Sequence, residues 1–273
     1  MLTPTGEIVD AARAAGRGVG AFNVIQLEHA EAIVAGAEKA GMPVVLQISE
    51  NAARYHGSLE PLGRATVAVA RASSAAVAVH LDHATDVSLV RQAVELGFTS
   101  VMYDASVMSY ADNVAATAAV VRDLGVYVEA ELGEVGGKDG VHAPGARTDP
   151  AEAAEYVAAT GIHALAVAVG TSHAMLTRDA TVDFGLIERL RATVPVPLEL
   201  HGSSGVPDED LRRAVEAGMT KVNIATQLNK AFTAAVRAHL EANPSVVDTR
   251  KYLGAGRDAV ATEVARLLAI LGA

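Results

Sequence analysis

Three histidines stand just after short apolar segments of this 273-residue sequence. His83 closes the segment AVAVHLDH, His173 follows ALAVAVGTS, and His201 closes VPLELH. In a chain without cysteine, three imidazoles are the ligand set of a catalytic zinc site, which keeps one position open for water or substrate. A single histidine at a strand end is more often a hydrogen-bonded structural residue. The three together predict a Zn²⁺ ion that acts as a Lewis acid.

Carboxylates stand beside these histidines. Asp82 immediately precedes His83, where it would either move a proton to and from a substrate or orient a histidine by a hydrogen bond, and the sequence leaves both roles open. Glu129 and Glu131 are two residues apart and share one face of a predicted strand. Buried carboxylates need a partner, so we expect one of them at the metal and the other paired with Lys221.

Two further strand ends carry small polar residues, HGSSG at 201–205 and NIATQ at 223–227. In barrels of alternating strands and helices, the loops after the seventh and eighth strands often bind phosphate through backbone N–H groups, hydroxyls and a helix N-terminus. Simple turn chemistry, with serine as a helix cap, explains HGSSG equally well in isolation. Its position directly after a predicted metal ligand favours a phosphate site.

Short segments rich in valine, isoleucine, leucine and alanine alternate with longer segments of helical spacing, a pattern typical of repeated β-α units. Eight such units without a break in composition predict one α/β domain over residues 1–273, a (β/α)8 TIM barrel. A doubly wound open sheet is disfavoured because no GxGxxG fingerprint follows an early strand. The predicted strands are 18–24, 43–49, 76–82, 100–105, 126–132, 164–170, 196–202 and 220–226.

Composition narrows the possible partners. The net charge is −10 and no block of lysine and arginine occurs, which argues against nucleic acid. No apolar run approaches the roughly 18–20 residues that would span a bilayer, and the N-terminal residues do not resemble a secretion signal. We therefore expect a cytoplasmic protein without membrane contact, whose anionic ligand is bound by local groups.

Several segments, in their order and separation, resemble the class II, metal-dependent fructose-bisphosphate and tagatose-bisphosphate aldolases. The combination of HLDHxT with a downstream GTxH and LHGxSG is specific, and the resemblance covers nearly the whole chain. It implies reversible cleavage of a ketose bisphosphate to dihydroxyacetone phosphate and glyceraldehyde 3-phosphate by a homodimer or homotetramer. The matching segments are AFNV, HLDHATD, SVMYDAS, VEAELGEVGG, VAVGTSHA, LELHGSSG and KVNIAT.

The resemblance implies roles for individual residues. The zinc ligands are His83, His173 and His201, Asp82 is the proton donor to the aldehyde-derived oxygen, and Glu131 lies near a second divalent or monovalent cation. Asn223 lies near the reacting carbons, and Ser204 and Thr226 contact phosphate. The residues that match substrate-binding segments are Ser49, Ala174, Gly202, Ser203, Ser204, Asn223, Ile224, Ala225 and Thr226.

Three positions depart from the family pattern. The family has glycine where this chain has Ala174, and glutamate in a mobile loop where GGKDG offers the shorter Asp139. The family's DPR segment, whose arginine reaches the distal phosphate of a neighbouring subunit, appears here as DTR and makes Arg250 the candidate. These differences leave open which group protonates the carbanion and which ketose is preferred, fructose or tagatose bisphosphate.

Other functions compete with the metal-dependent aldolase. A Schiff-base lyase would use Lys221 as its nucleophile. A zinc hydrolase would activate water at the open metal position and release inorganic phosphate or another hydrolytic product. A non-catalytic sugar-phosphate binder would require the set of three histidines to be a coincidence.

Overall fold

Each strand of the barrel pairs in parallel with the next along the chain, and the last strand pairs with the first. The computed structural model describes residues 1–132, 147–172 and 175–272, and within these residues eight strands form a closed barrel. The predicted (β/α)8 TIM barrel is therefore confirmed. The strands are β1 Val19–Asn23, β2 Val44–Ser49, β3 Val77–Ala84, β4 Ser100–Tyr103, β5 Tyr127–Glu131, β6 Ala164–Ala166, β7 Leu198–Leu200 and β8 Met219–Ile224.

All eight strands differ by at least one residue from their predicted segments, and the differences in β3 and β6 bear on the site. β3 continues past Asp82 to Ala84, and its pairing with β4 shifts register between Leu81 and Ala84. β6 ends at Ala166, and two residues later Ala168 exchanges hydrogen bonds of 3.0 and 2.8 Å with Thr148. Both differences lie at the strand ends, where ladder pairing gives way to loops.

Side chains cap several of the helices. The side chains of Ser109 and Asp149 accept backbone N–H groups at the first turns of two helices, as serine and aspartate commonly do. The helices are α1 Thr5–Ala15, α2 Leu27–Ala40, α3 Glu50–His56, α4 Glu60–Ala72, α5 Val87–Glu95, α6 Tyr110–Leu124, α7 Pro150–Thr160, α8 Phe184–Thr193, α9 Asp208–Ala217, α10 Thr226–Ala242 and α11 Thr249–Leu271. None of the described helices has both the length and the apolar character required to cross a membrane.

The barrel interior is apolar at one end and polar at the other. At the N-terminal ends of the strands, Ile8 and Ala12 of α1 pack against small residues such as Ala21 and Ala78. Further along the strands, buried side chains are charged or polar, including Glu129 and Lys221. The larger apolar core lies between the strands and the surrounding helices. The polar side chains therefore accumulate toward the C-terminal mouth, the end that carries the active site in enzymes of this fold.

Candidate active site

Two imidazoles face each other at the mouth of the barrel. His83 from β3 places its Nε2 3.0 Å from Nδ1 of His201, which follows β7. The other nitrogen of each ring is held by a carboxylate: His83 Nδ1 lies 2.8 Å from Asp104 Oδ2, and His201 Nε2 lies 2.8 Å from Glu129 Oε1. With the outer N–H of each ring donated to its carboxylate, loss of the proton shared between the rings leaves both facing nitrogens as lone-pair donors. Two such donors suit a cation between them, and a carboxylate behind each ring is the usual support of a metal-binding histidine.

The charges around His83 also favour a cation. Burial by itself lowers the pKa of His83, but the nearby carboxylates of Asp82, Asp104 and Glu131 outweigh burial and raise it to about 9. Glu131 Oε2 lies 3.9 Å from His83 Nδ1. Two groups that share His83 bring ligand atoms within 4.8 Å of one another: Asp82, His83 and His201, and His83, Asp104 and Glu131. Nitrogen and oxygen donors of this kind fit a divalent metal such as Zn²⁺.

The backbone of His83 adopts an unusual conformation. Its φ angle is +48°, and among the described residues it is the only non-glycine residue with a positive φ. A side chain in this left-handed region costs about 1–2 kcal/mol. The register shift at the end of β3 accompanies this turn. The surrounding structure therefore holds a predicted metal ligand in a strained conformation.

Asp82 lies between two amides beside the imidazole pair. Its carboxylate accepts hydrogen bonds from Nδ2 of Asn23 at 3.3 Å and from Nδ2 of Asn223 at 3.4 Å. Burial by itself raises the pKa of Asp82, but the positive charges of His83 and His201 bring it below its ordinary value. Asp82 is therefore a carboxylate at neutral pH, and Asp104 and Glu129, rather than Asp82, hold the outer nitrogens of the two rings.

Below the mouth lies a group that we call the floor cluster: His80, Glu129, Glu199 and Lys221, all at most 1% exposed. Lys221 Nζ donates to Glu129 Oε2 at 2.7 Å and also to Glu199. His80 Nε2 lies 3.3 Å from the same oxygen of Glu129. Burial lowers the pKa of Lys221, but the two carboxylates outweigh it and raise the pKa above its ordinary value. This amine stays protonated, which disfavours it as a Schiff-base nucleophile.

The loops after β7 and β8 are joined by one serine. The Oγ of Ser204 accepts hydrogen bonds from the backbone N–H groups of Ala225 and Gln227, each at 3.3 Å. Gly202 has φ +68°, and a Cβ there would lie 2.5 Å from the carbonyl oxygen of Ser172, so only glycine fits. The 17-residue helix α10 begins at Thr226, between these two donors. Backbone N–H groups and a helix N-terminus thus meet where the sequence predicts phosphate.

Other predicted substrate residues differ in how accessible their groups are. The hydroxyl of Ser203 is buried and donates to the carbonyl of Leu200 at 2.9 Å, so it is not available to a ligand. Ile224 is buried as well, 1% exposed. Ser49 pairs with Asp82 in the register of β2 and β3 and caps α3 with its hydroxyl.

Arg250 lies away from this cluster in its own chain, on the first turn of α11. Its side chain is 88% exposed and pairs with Asp248 at 2.8 Å. Its predicted role concerns a neighbouring subunit and stays a prediction. His173, Ala174 and Asp139 lie outside the described residues.

Sequence reasoning missed four polar residues of the site. Asp104 follows β4 in the same way that His83 closes β3, so inspection of the end of SVMYDA would have found it. Glu199 stands two residues before His201 on one strand face. Asn23 ends β1, and Gln47 of β2 donates to it at 2.7 Å. None of the four lies at a sequence separation typical of metal ligands, so the pattern of histidines does not identify them.

A closed barrel whose strands carry histidine and carboxylate side chains able to bind a metal at their C-terminal ends has the architecture of a (β/α)8-barrel enzyme. A family model described as fructose-bisphosphate aldolase class-II matches residues 3–273. The fructose-bisphosphate aldolase of Geobacillus stearothermophilus is 41% identical over 253 residues, which cover 90% of this chain and 88% of that relative. That of Thermus caldophilus is 39% identical over 302 aligned residues, covering 100% and 98%.

A solved structure is similar over the same extent. The crystal structure of the YdjI aldolase from Escherichia coli K12 has a TM-score of 0.88 and 29% identity, covering 100% of this chain and 98% of that one. The chain belongs to the class II fructose-bisphosphate aldolase family, which is generally metal-dependent. It is accordingly an aldolase, a lyase that acts on a carbon–carbon bond.

Proposed function

We propose that this aldolase depends on zinc and cleaves fructose 1,6-bisphosphate between C3 and C4, giving dihydroxyacetone phosphate and glyceraldehyde 3-phosphate. The observation that carries the proposal is the pair of imidazoles, His83 and His201, whose facing nitrogens are 3.0 Å apart with a carboxylate behind each ring. We assign Zn²⁺ to these two nitrogens and to His173. Asp104 and Glu131 are the candidates for a second divalent or monovalent cation beside His83.

When bound, the Zn²⁺ ion supplies Lewis acidity that stabilises negative charge developing on the C2 carbonyl oxygen during cleavage. Asp82 takes the proton of the C4 hydroxyl in cleavage and, by microscopic reversibility, returns it in condensation. Because its pKa is lowered, Asp82 is deprotonated at neutral pH, which is the form that accepts a proton. The amides of Asn23 and Asn223 hold the carboxylate in place.

The phosphate of the dihydroxyacetone half is assigned to the segments 202–204 and 223–226. The start of α10 beside the joined loops around Ser204 supports this assignment, because the N-terminal end of a helix favours an anion, here in a chain of net charge −10. Phosphate held away from the reacting carbons positions those carbons for cleavage. Arg250 of a second subunit is assigned to the other phosphate, which requires a homodimer or homotetramer, and no nucleic acid or membrane partner is proposed.

The test is triose-phosphate release from fructose 1,6-bisphosphate by the purified protein as isolated, after treatment with a chelator, and after zinc is restored. We expect activity that the chelator removes and zinc returns. His201→Ala should abolish zinc binding and activity, whereas His239→Ala, a change in the outer helix α10, should leave both unchanged. Tagatose 1,6-bisphosphate is assayed in parallel, because the two ketoses differ at one stereocentre.

Other outcomes would support the competing functions. Activity that survives chelation, with an adduct trapped by borohydride, would identify a Schiff-base lyase despite the buried Lys221. Release of inorganic phosphate without triose phosphate would identify a hydrolase. Stoichiometric zinc without turnover of either ketose bisphosphate would leave a sugar-phosphate binder.

A further inference from the structure

The strained backbone of His83 requires something to hold it. A left-handed φ in a non-glycine residue persists only where the surrounding structure determines it. We propose that Glu50 is a positioning residue that holds His83 in this conformation by binding Thr85, two residues further along the chain. This inference rests on the proposed metal-dependent function, because it concerns the placement of a metal ligand.

The contacts of Glu50 reach across from the neighbouring strand. Glu50 is the first residue of α3, directly after β2, and its carboxylate accepts the backbone N–H of Thr85 at 2.6 Å. The Thr85 hydroxyl lies 3.1 and 3.2 Å from the same two carboxylate oxygens. Arg54, one turn along α3, holds the carboxylate at 2.8 Å. The side chain of Glu50 is only 16% exposed, so solvent weakens these bonds little.

The other side of His83 is held by β4. The N–H of Asp104 donates to the carbonyl of Ala84 at 2.8 Å, and the Asp104 carboxylate binds the His83 ring at 2.8 Å. Asp104 therefore holds the His83 ring and the backbone of Ala84, while Glu50 holds Thr85. The segment 83–85 is thus held from both neighbouring strands at the point where β3 shifts register. Without Glu50, the chain after Ala84 loses its attachment on the β2 side.

The chain contains a matched control. Glu60 and Arg64 of α4 form the same i,i+4 pair as Glu50 and Arg54, also at 2.8 Å. The Glu60 side chain is 51% exposed, and its carboxylate accepts a hydrogen bond from Arg64 within α4. Glu60→Ala therefore removes an equivalent ion pair without touching the segment 83–85.

The experiment compares Glu50→Ala, Glu50→Gln, Thr85→Val and Glu60→Ala with the wild-type protein. Zinc affinity is measured on chelator-treated protein by competition with a chromogenic chelator. Changes in groups that orient a metal ligand typically cost about 10–100-fold in affinity, and we expect a loss in that range for Glu50→Ala. The loss should be smaller for Glu50→Gln, which keeps an acceptor oxygen, and smaller again for Thr85→Val, which keeps the backbone N–H. Glu60→Ala should bind zinc as the wild type does.

A second readout does not depend on zinc. Amide hydrogen exchange in the metal-free protein should be faster at Thr85 and Asp104 in Glu50→Ala, and unchanged there in Glu60→Ala. Wild-type affinity together with wild-type exchange in Glu50→Ala would overturn the proposal. If the wild type binds no zinc, the proposed function fails, and exchange at these two amides still decides whether Glu50 positions the segment. If Glu50→Ala does not fold, Glu50→Gln provides the same comparison.

Discussion

The floor cluster and the mouth of the barrel both concentrate buried charge, but they arrange it in opposite ways. In the floor cluster, Lys221 lies between Glu129 and Glu199, so the protein supplies both signs of charge. At the mouth, the facing nitrogens of His83 and His201 are surrounded by carboxylates. A charge that the protein has already paired offers little to a ligand, whereas converging donors attract a cation. We therefore assign metal binding and proton transfer to the mouth, and a structural role to the floor cluster.

The sharpest test of the mouth is Asp82→Asn. If Asp82 transfers the proton, kcat should fall by about 10²–10⁴-fold, because asparagine cannot accept it. Zinc affinity should change by no more than a few-fold, since we assign the metal to the imidazoles. Steady-state kinetics on the zinc-loaded variant and a zinc titration check both expectations. A joint loss of zinc and activity would instead place Asp82 among the ligands, which its position in the group with His83 and His201 allows.

For the floor cluster, Lys221→Met should lower the free energy of unfolding by about 3–5 kcal/mol, because it removes the cation from between two buried acidic side chains. Urea denaturation of the chelator-treated protein measures this effect separately from zinc binding. Adding Glu199→Gln to the variant should restore part of the loss, and Lys39→Met on the exposed end of α2 is the control, expected within about 0.5 kcal/mol. A loss below about 1 kcal/mol would mean that the floor cluster is not held by charge.

His29, a buried histidine on helix α2, shows by contrast what the carboxylates do to the pKa of an imidazole. His29 of α2 stacks on Phe232 with ring centroids 5.1 Å apart, and in the described part of the chain neither ring nitrogen has a hydrogen-bond partner. Burial lowers its pKa to about 4, whereas that of His83, among carboxylates, is about 9. Below pH 6.5 the His29 side chain is protonated in the unfolded chain but stays neutral in the folded protein until the pH nears 4. Stability that is present at neutral pH is therefore lost as the pH falls toward 4.

At pH 5 this loss amounts to about 2 kcal/mol. The check is the free energy of unfolding at pH 7.5 and pH 5 for the wild type and for His29→Leu. The variant should lose less stability on acidification by about that amount, whatever its stability at pH 7.5. Equal acid sensitivity in the two proteins would show that His29 has a proton acceptor or solvent access in solution.

The smallest expected effect concerns the loops at the mouth. Ser204→Ala removes the hydroxyl that joins the loops after β7 and β8, and we expect KM for fructose 1,6-bisphosphate to rise about tenfold with kcat nearly unchanged. Ser88→Ala at the exposed start of α5 is the control and should leave KM unaltered. A fall in kcat with constant KM would indicate that these loops place the reacting carbons rather than the phosphate.

Much of the fold was predictable because its signals are local. Each of the eight strands appears within a few residues of its predicted segment, since strands buried on both faces have largely apolar sequences. The strand-end rule also anticipated that His83, His201 and Asp82 would converge. The same rule covers Asp104 at the end of β4, a residue absent from the predicted site although its carboxylate holds the His83 ring. The short β6 was not predictable, and Ala168 just beyond its end bonds Thr148, which is distant in sequence.

The sequence by itself determined the order of strands and helices, the polar residues that close the strands, and the family to which the chain belongs. These follow from local periodicity and from residue types at defined separations, which are present in any linear reading of the chain. Only the tertiary structure decided that Glu129 serves both His201 and Lys221, that Asp82 lies between two amides, and that Glu50 binds the segment after His83. Those pairings depend on how neighbouring strands are staggered when the barrel closes, and a stagger of one residue turns a side chain to the opposite face.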